Sequence, residues 1–225
     1  MPDVPADASF RDLTLRAFVD ELASAAPVPG GGSASAIAAS LGAGLVAMVA
    51  SLSQDRPRYA QHTSLHDRSR DVGERLATRF FDLADEDAAA YAAFAAARKL
   101  PRTTDDEIAA RQRALATAAR RAAEVPLETV EACLELIVTA EALVGRCNVN
   151  ATSDLEVATL LGDAAARGAA ANVLINLPSV DDEAFAAAAT ARVEEILTRI
   201  REVVAEVHSG VRNPREREPV PIAPR

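Results

Sequence analysis

The apolar positions of this chain recur with the period of an α-helix almost from end to end. Apolar residues stand three, four or seven positions apart, which places them on one face of a helix, and no stretch alternates convincingly between apolar and polar residues as a strand does. We therefore predict an all-α protein, a single-domain helical bundle with a buried central helix and one very long helix.

The central helix is predicted over 33–53, a segment without one charged residue. A stripe of small residues runs beside a stripe of large apolar residues, which are Ile37, Leu41, Leu45, Met48 and Leu52. A helix with no charged face must be covered nearly all round, so we expect it to be buried. The segment is also long enough to span a membrane. Its many serines and alanines make it only weakly apolar, however, which favours a core helix and no membrane partner.

The residues that lead into this helix form a proline- and glycine-rich entrance. Gly30, Gly31 and Gly32 permit close approaches that any side chain would block, and Ser33 is predicted to be the helix N-cap. Free N–H groups and the helix dipole favour a bound carboxylate or phosphate there. The alternative is a purely structural core helix, because the lysine and hydroxyl residue of a P-loop are absent.

Six further helices are predicted around the central one. They are a short amphipathic helix at 15–22, the very long helix at about 59–99, helices at 104–122, 126–144 and 153–177, and a last helix capped by Ser179 and Asp181–Asp182. Thr104-x-x-Glu107 and Ser153-x-x-Glu156 have the pattern of capping boxes. Pro126 is expected to start a helix rather than to lie inside one.

Composition narrows the class of protein. With 225 residues the chain has an ample core for one domain, predicted at 10–209 between a flexible N-terminus at 1–9 and a flexible Pro-, Arg- and Glu-rich tail at 210–225. A net charge of −9 argues against a nucleic-acid partner. The N-terminus does not have the pattern of a signal peptide, so we expect a cytoplasmic protein.

No metal site is predicted. Cys133 and Cys147 have neither metal-like spacing nor the pattern of a disulfide framework. His62 and His66 are spaced as two ligands on one helix face, but they lie in a hydrophilic segment without an H-E-x-x-H motif.

Three aspartates interrupt the long predicted helix, at positions 82, 85 and 87. Asp82 and Asp85 share a face, whereas Asp87 falls on the side of Phe80 and Tyr91. A carboxylate turned inward is costly unless it is paired, so such an aspartate is expected to have a raised pKa and a role. The alternative is that all three are solvated or paired with arginines.

Asparagines provide the other candidate polar groups. Asn172 and Asn176 lie one helical turn apart in an otherwise apolar segment, and a buried amide must find partners for both its oxygen and its NH₂ group. Capping next to Pro178 explains Asn176 but not Asn172. Lys99 and Arg102 flank a helix end, where cations also complement the helix dipole.

Several separated motifs together resemble the cyclodeaminase/cyclohydrolase family over about 13–199. The motifs are P-V-P-G-G-G-S, K-L-P, V-P-L-E-T, C-N-x-N-A-x-S-D-L-x-V-A and A-x-x-N-V-L-I-N-L. This family includes the cyclodeaminase domain of formiminotransferase-cyclodeaminase and stand-alone methenyltetrahydrofolate cyclohydrolases. The resemblance implies a homodimeric helical enzyme that acts on one-carbon units of tetrahydrofolate, with no cofactor beyond that substrate.

Both reactions implied by the resemblance pass through a tetrahedral carbon between N5 and N10 of tetrahydrofolate. In one, N10 attacks the carbon of the 5-formimino group and ammonia leaves to give the 5,10-methenyl form. In the other, water adds to the methenyl carbon and the ring opens to 10-formyltetrahydrofolate. A carboxylate can act as base or as counter-charge to the cation, and Asp154 and Asp85 are our candidates for that catalytic role.

The remaining polar groups are then expected to bind the substrate. Asn150, Asn172 and Asn176 can fix the pterin edge and the reacting nitrogens by amide hydrogen bonds. The loop of Gly30, Gly31, Gly32 and Ser33, together with Lys99 and Arg102, can receive the carboxylates of the folate glutamate.

The residues of these motifs resemble the deaminase domain more closely, so we expect a formiminotetrahydrofolate cyclodeaminase. A methenyltetrahydrofolate cyclohydrolase and a non-catalytic folate-binding or scaffold dimer are the alternatives, since a fold can outlive its chemistry. Along one helix, Asp154 lies ~27–33 Å from Asn172 and Asn176 at 1.5 Å per residue. Either folate lies lengthwise along that helix, or a second subunit or a neighbouring helix completes the site.

Overall fold

The computed structural model describes residues 9–220, which contain helices and no strands. The helices are α1 (Leu15–Leu22), α2 (Gly31–Ser53), α3 (Thr63–Arg98), α4 (Asp105–Leu143), α5 (Thr152–Asn176) and α6 (Glu183–Arg212). Short 3₁₀ turns occupy Phe10–Asp12, Pro57–His62, Val149–Ala151 and Leu177–Ser179. The predicted all-α fold is confirmed.

Four of these helices form the core of the molecule. α2 packs on α3, α3 on α4, α4 on α5, and α5 closes the bundle against α2. α6 lies outside this bundle, against α4 and α5. As a result of this packing, the start of α2, the second half of α3, the middle of α4 and the end of α5 lie at the same end of the bundle.

α2 packs mainly through its small residues, together with the buried Val46 and Val49. Gly42 of α2 and Gly73 of α3 allow the backbones to meet, since a Cβ at Gly73 would lie 2.8 Å from the Ala43 carbonyl oxygen. Much of the large apolar stripe faces outward instead, with Leu41 55% and Met48 38% exposed, whereas Ile37 and Leu45 pack in part against the core. The prediction that this helix is covered nearly all round is therefore wrong for this chain taken alone. Close backbone packing places the small face inward.

By length and composition, α2 is also the one helix among the described residues that passes as a membrane span, although half of that apolar stretch is buried inside the bundle. Burial of this kind is what a core helix of a bundle has.

α4 corrects a second prediction, because Pro126 lies inside one continuous helix and does not begin a new one. Proline has no N–H group, so the carbonyl of Ala122 loses its ordinary partner four residues on. The side chain of Asn176 on α5 replaces that partner, with Nδ2 donating to the Ala122 oxygen at 2.7 Å. Packing against α5 thus supplies the hydrogen bond that the helix itself cannot.

Two of the predicted helix caps are confirmed by the structure, and a third is wrong. Thr104 and Glu107 form the predicted capping box, and Asp182 caps α6 by accepting from the Phe185 N–H at 2.9 Å. The box at Ser153 and Glu156 is wrong, because α5 already begins at Thr152 with no side-chain cap. Glu156 instead contacts His208 Nδ1 on α6 at 2.6 Å.

The two ends of the described chain both contact the bundle. Ser9 Oγ donates to Asp85 Oδ2 at 2.5 Å. At the other end, α6 continues to Arg212, three residues past the predicted domain boundary, and the Arg217 N–H donates to the Gly145 oxygen at 3.1 Å. Residues 1–8 and 221–225, parts of the two segments predicted to be flexible, lie outside the described residues, and their flexibility stays a prediction.

Candidate active site

A pocket of about 320 Å³ lies at the end of the bundle where α2 begins. Its walls come from the segment before α2, from α3, α4 and α5, and from the turn after α5. The lining residues are Pro27, Val28, Gly30, Gly31, Gly32, Asp87, Tyr91, Phe94, Ala119, Ala122, Asn172, Asn176 and Ser179. Five of the predicted site residues are therefore brought together, namely Gly30, Gly31, Gly32, Asn172 and Asn176.

Asp87 is the one charged group in this lining. It lies on α3 directly against the glycine entrance, where a Cβ at Gly32 would approach its carboxyl atoms to 2.2–2.6 Å. Only glycine at position 32 lets the carboxyl group reach the start of α2. The glycine entrance thus makes room for a carboxyl group as well as for a ligand.

Ser33 is the hydrogen-bond partner of this carboxyl group. The predicted N-cap role of Ser33 is wrong, because α2 begins two residues earlier and Gly30 occupies the N-cap position without a side-chain hydrogen bond. The buried Ser33 hydroxyl instead reaches Asp87 Oδ2 at 3.0 Å. The three-glycine run lets the helix start earlier than the serine, which then turns inward.

Burial raises the pKa of the Asp87 carboxyl above its ordinary value, while hydrogen bonds from the side chain and backbone of Ser33 oppose part of that rise. A carboxyl group shifted in this direction keeps its proton to a higher pH than an exposed aspartate does.

The two asparagines of the pocket lining are both held by hydrogen bonds to the backbone. Asn172 Nδ2 donates to the Gly168 oxygen at 2.9 Å, and Asn176 Nδ2 donates to the Ala122 oxygen at 2.7 Å. These bonds fix the orientation of both amides and leave both Oδ1 atoms without a protein donor among residues 9–220. A ligand with N–H donors along one edge therefore matches this wall.

Tyr91 and Phe94 add an aromatic side to the pocket, and Tyr91 is 47% exposed despite its size. Flat aromatic faces suit a flat heterocyclic ligand. The pocket thus combines one carboxyl group, two amide groups held in place and one aromatic side.

Other predicted residues lie elsewhere. Asp85 accepts from the Ser9 hydroxyl and from the Phe10 N–H at 2.9 Å, so its carboxylate holds the N-terminal segment and does not line the pocket. Lys99 caps the C-terminus of α3, and Arg102 lies in the following loop; both are exposed.

Asp154 and Asn150 lie at the far end of the bundle from the pocket. Asp154 is in the first turn of α5, and the Asn150 N–H donates to Asn148 Oδ1 at 3.2 Å. The Asn148 N–H in turn donates to Ser53 Oγ at 2.8 Å, which ties this loop to the last residue of α2. Since α2 spans ~35 Å at 1.5 Å per residue, neither residue reaches the pocket of its own chain.

Asp87, the carboxyl group that lines this pocket, is not one of the two catalytic candidates predicted from the sequence. The sequence does indicate that Asp87 could face inward, because its helical spacing places it on the same side as Tyr91 and Phe94. The contact of Asp87 with Gly32 and Ser33 cannot be predicted from this spacing, because it depends on how α2 crosses α3.

The described residues offer no group of three or more His, Cys, Asp or Glu side chains that could hold a metal ion. Burial raises the pKa of the Cys133 thiol and brings that of Cys147 to about 11, so both thiols are held protonated. A surface groove of about 740 Å³ between the end of α4, α6 and residues 213–217 contains none of the predicted site residues.

The fold is an all-helical bundle, and its pocket has the size and the mixed polar and aromatic lining of a small-molecule site. Residues 14–195 match the family described as Formiminotransferase-cyclodeaminase. The chain belongs to this family.

Individual relatives cover nearly the whole chain. A methenyltetrahydrofolate cyclohydrolase from Methylorubrum extorquens is 37% identical over 92% of this chain and 95% of its own length. A formimidoyltransferase-cyclodeaminase from Rattus norvegicus is 34% identical over 92% of this chain but only 38% of its own length. The crystal structure of a formiminotetrahydrofolate cyclodeaminase from Thermotoga maritima superposes with a TM-score of 0.81 at 27% identity, covering 90% of this chain and 98% of that one.

Proposed function

We propose that this chain is a folate one-carbon enzyme and, more specifically, a formiminotetrahydrofolate cyclodeaminase whose proton carrier is Asp87. The family supports an enzyme of this kind, since its named relatives are cyclodeaminases and cyclohydrolases. The observation that carries the proposal for this chain is the half-buried Asp87 carboxyl group, with its raised pKa, between the glycine entrance and the two asparagines.

One carboxyl group is sufficient for the proton transfers of the deaminase reaction. N10 of 5-formiminotetrahydrofolate forms a bond to the carbon of the formimino group, whose imino nitrogen is protonated, and the Asp87 carboxylate takes the proton that N10 then carries. The resulting carboxylic acid returns this proton to the amino group, the carbon–nitrogen bond to that group breaks, and ammonia leaves the 5,10-methenyl cation. The pKa of such a relay must lie near the working pH, which matches the direction of the shift at Asp87.

The asparagines and aromatic residues would orient the pterin ring. Its 2-amino and N3–H groups are donors, and the free Oδ1 atoms of Asn172 and Asn176 are acceptors that are already held in place. Tyr91 and Phe94 provide the face on which the ring lies.

The glutamate end of folate would extend towards the cationic loop after α3. Lys99 is the only lysine of the chain, and it lies one turn beyond Phe94 with Arg102 close behind in sequence. No carboxylate of the described residues forms a salt bridge with either cation. Both therefore stay proposed partners for the substrate's carboxylates, with a surface-level contribution of about 0–1 kcal/mol each.

The outward stripe of α2 suggests a homodimer. Leu41, Met48 and Leu52 form an exposed apolar row on a helix that lacks any charged residue. A second copy of the chain covers such a row with its own in a two-fold interface. If the α2 helices pair in opposite directions, Asp154 and Asn150 of one copy approach the pocket of the other, which would give these residues a place in a shared site.

A methenyltetrahydrofolate cyclohydrolase is the second candidate function, favoured by the 37% identical relative of that name, whose length this chain matches. In that reaction Asp87 would take a proton from the attacking water. Incubation with 5-formiminotetrahydrofolate distinguishes the two, because only the deaminase releases ammonia. Turnover of 5,10-methenyltetrahydrofolate without ammonia release from the formimino substrate would replace the first assignment by the second.

A non-catalytic folate-binding or scaffold dimer would convert neither substrate. In that case folate binding or dimerisation would persist without turnover, and Asp87→Asn would alter only stability. A cytoplasmic location and the absence of a cofactor beyond the folate substrate are parts of the same proposal.

A further inference from the structure

The Ser33 hydroxyl lies between two oxygen atoms of α3 that both accept hydrogen bonds. Asp87 Oδ2 is 3.0 Å from Ser33 Oγ, and the backbone oxygen of Ala84 is 3.2 Å from it. A serine hydroxyl has a single hydrogen and two lone pairs, so it can donate to only one of these oxygens at a time. Ser33 is completely buried, so no water can bond to its hydroxyl group in place of either oxygen.

We propose that Ser33 is a positioning residue which rotates its hydroxyl between Asp87 and Ala84, so that Asp87 has a hydrogen-bond partner both as a carboxylate and as a carboxylic acid. When Asp87 is ionised, the hydroxyl donates to Oδ2. When Asp87 carries a proton, its own O–H donates to the Ser33 oxygen and the hydroxyl hydrogen turns to the Ala84 carbonyl. No atom other than the hydroxyl hydrogen has to move.

The other buried serines of α2 lack this arrangement. Ser40 Oγ donates to the Ile37 oxygen at 2.7 Å, and Ser53 Oγ donates to the Val49 oxygen at 2.7 Å. Both bonds stay within one helix, as is usual for serine in a helix interior. Ser33 alone among these three reaches across to a carboxyl group, and Gly32 next to it leaves room for that group.

Ser33 is the main polar group that affects the pKa of Asp87. From α2, α4 and α5, the pocket lining presents glycine, alanine and asparagine, and Tyr91 on α3 is the other titratable group. No charged side chain is among the causes of the raised pKa of Asp87. Removal of the Ser33 hydroxyl therefore removes the one side-chain group that favours the ionised form, which raises the pKa further.

This inference rests on the proposed function for its purpose, but its test does not depend on turnover. The titration of the Asp87 carboxyl group is followed by ¹³C NMR of aspartate-labelled protein without substrate, with Asp87→Asn to assign the signal. In Ser33→Ala, we expect the titration midpoint to rise by about one pH unit. Ser40→Ala is the matched control, and its midpoint should equal that of the wild type.

A second variant keeps the test usable if Ser33→Ala does not fold. Ser33→Cys retains the length of the side chain but offers only a weak donor, so its midpoint should move in the same direction. Where turnover is found, the pH profile of kcat should shift with the midpoint and kcat should fall about tenfold. Ser33→Thr, which restores a hydroxyl group, should recover the wild-type profile.

The outcomes separate this inference from the proposed function. A raised midpoint in a protein that converts neither folate supports the role of Ser33 and overturns the proposed function. Turnover that depends on Asp87, with an unchanged midpoint and pH profile in both Ser33→Ala and Ser33→Cys, overturns the role of Ser33 and leaves the proposed function in place.

Discussion

Asn176 completes the hydrogen bonding that Pro126 leaves open, although the two residues lie on different helices. Pro126 has no N–H to donate to the Ala122 oxygen, and Asn176 Nδ2 donates to it at 2.7 Å. The irregular position in α4 is therefore also the place where α5 anchors one wall of the pocket. The same residue thus supports the packing of α5 on α4 and lines the pocket.

This relationship predicts a coupling between two substitutions. Asn176→Ala leaves the half-enclosed Ala122 carbonyl without its donor, so we expect the free energy of unfolding to fall by about 1–2 kcal/mol. In Pro126→Ala the new N–H group of residue 126 bonds to the same carbonyl, and the cost of Asn176→Ala should become smaller. Denaturant unfolding of both single variants and the double variant measures the coupling, expected to exceed about 0.5 kcal/mol.

Asn172→Ala is the control for that cycle. Its amide bonds to the Gly168 oxygen of its own helix, and that bond has no connection with α4. We expect no coupling between Asn172→Ala and Pro126→Ala. Additive effects in the Asn176 cycle as well would contradict the role given to Asn176.

Gly32→Ala should disable the pocket while leaving the helix intact. The new Cβ would lie 2.2 Å from Asp87 Oδ1, so the carboxyl group must move. On helix propensity alone, the substitution would stabilise α2 by up to about 1 kcal/mol. Because small displacements of a catalytic group are costly, we expect kcat/KM to fall on the order of 100-fold.

Gly31→Ala is the matched comparison, since a Cβ there would meet nothing closer than Asn172 Nδ2 at 3.7 Å. It should retain far more turnover than Gly32→Ala, with both proteins equally helical by circular dichroism. Equal losses in the two variants would show that the entrance, not the carboxyl position, is what matters.

Asp87→Asn should separate stability from function. The pKa of Asp87 is raised in the folded protein, so the folded state binds more protons than the unfolded state between the two pKa values. Stability from this group is therefore present at low pH and is lost as pH rises through the folded pKa. Asparagine does not ionise, so the variant does not lose stability in this way as the pH rises. We therefore expect Asp87→Asn to be at least as stable as the wild type at neutral pH.

Unfolding free energies measured from acid to neutral pH test this expectation. The difference between wild type and Asp87→Asn should grow in favour of the variant as pH rises. A difference that moves the other way would mean that the ionised carboxylate is stabilised in the folded protein, contrary to the direction given above.

The stripe on α2 predicts that a single charge prevents association. Leu41→Glu places a charge in the middle of the proposed interface, and sedimentation should then give a monomer where the wild type gives a dimer. Ile108→Glu is the control, because Ile108 on α4 is also exposed, at 39%, but lies outside this stripe. A wild type that is monomeric at micromolar concentration would contradict the proposed homodimer.

A mixing experiment tests the shared site directly. If each pocket takes Asp154 from the second copy, inactive Asp154→Asn and inactive Asn172→Ala chains should recover part of the activity when they form mixed dimers. No recovery, despite demonstrated exchange of subunits, would confine the site to one chain.

The sequence predicted the fold because the information for it is local. Apolar spacing, the Thr104 capping box and the absence of strand patterns depend on neighbouring residues only. Three predictions failed where packing overrides local pattern: Pro126 continues a helix with the help of Asn176, Ser33 turns inward, and α2 buries its small face so that two backbones can approach.

The site was predicted in part for the same reason. Gly30, Gly31, Gly32, Asn172 and Asn176 line the pocket as residues of unusual type in their local context. That Asp87 and not Asp85 lines the pocket depends on how α2 crosses α3, and the spacing of residues along the sequence does not reveal that crossing. Asp85 looked equally suitable, but its partners, Ser9 and Phe10, are more than 70 residues away along the chain.

The most direct test of the account compares Asp87→Asn, Asp85→Asn and wild type in turnover of 5-formiminotetrahydrofolate, followed by methenyl absorbance and by ammonia release. We expect wild-type turnover, a loss on the order of 100- to 10,000-fold in Asp87→Asn, and little change in Asp85→Asn once both variants are found to be folded. Wild-type turnover that survives in Asp87→Asn, or is lost only in Asp85→Asn, would contradict the assignment of Asp87 as the proton carrier.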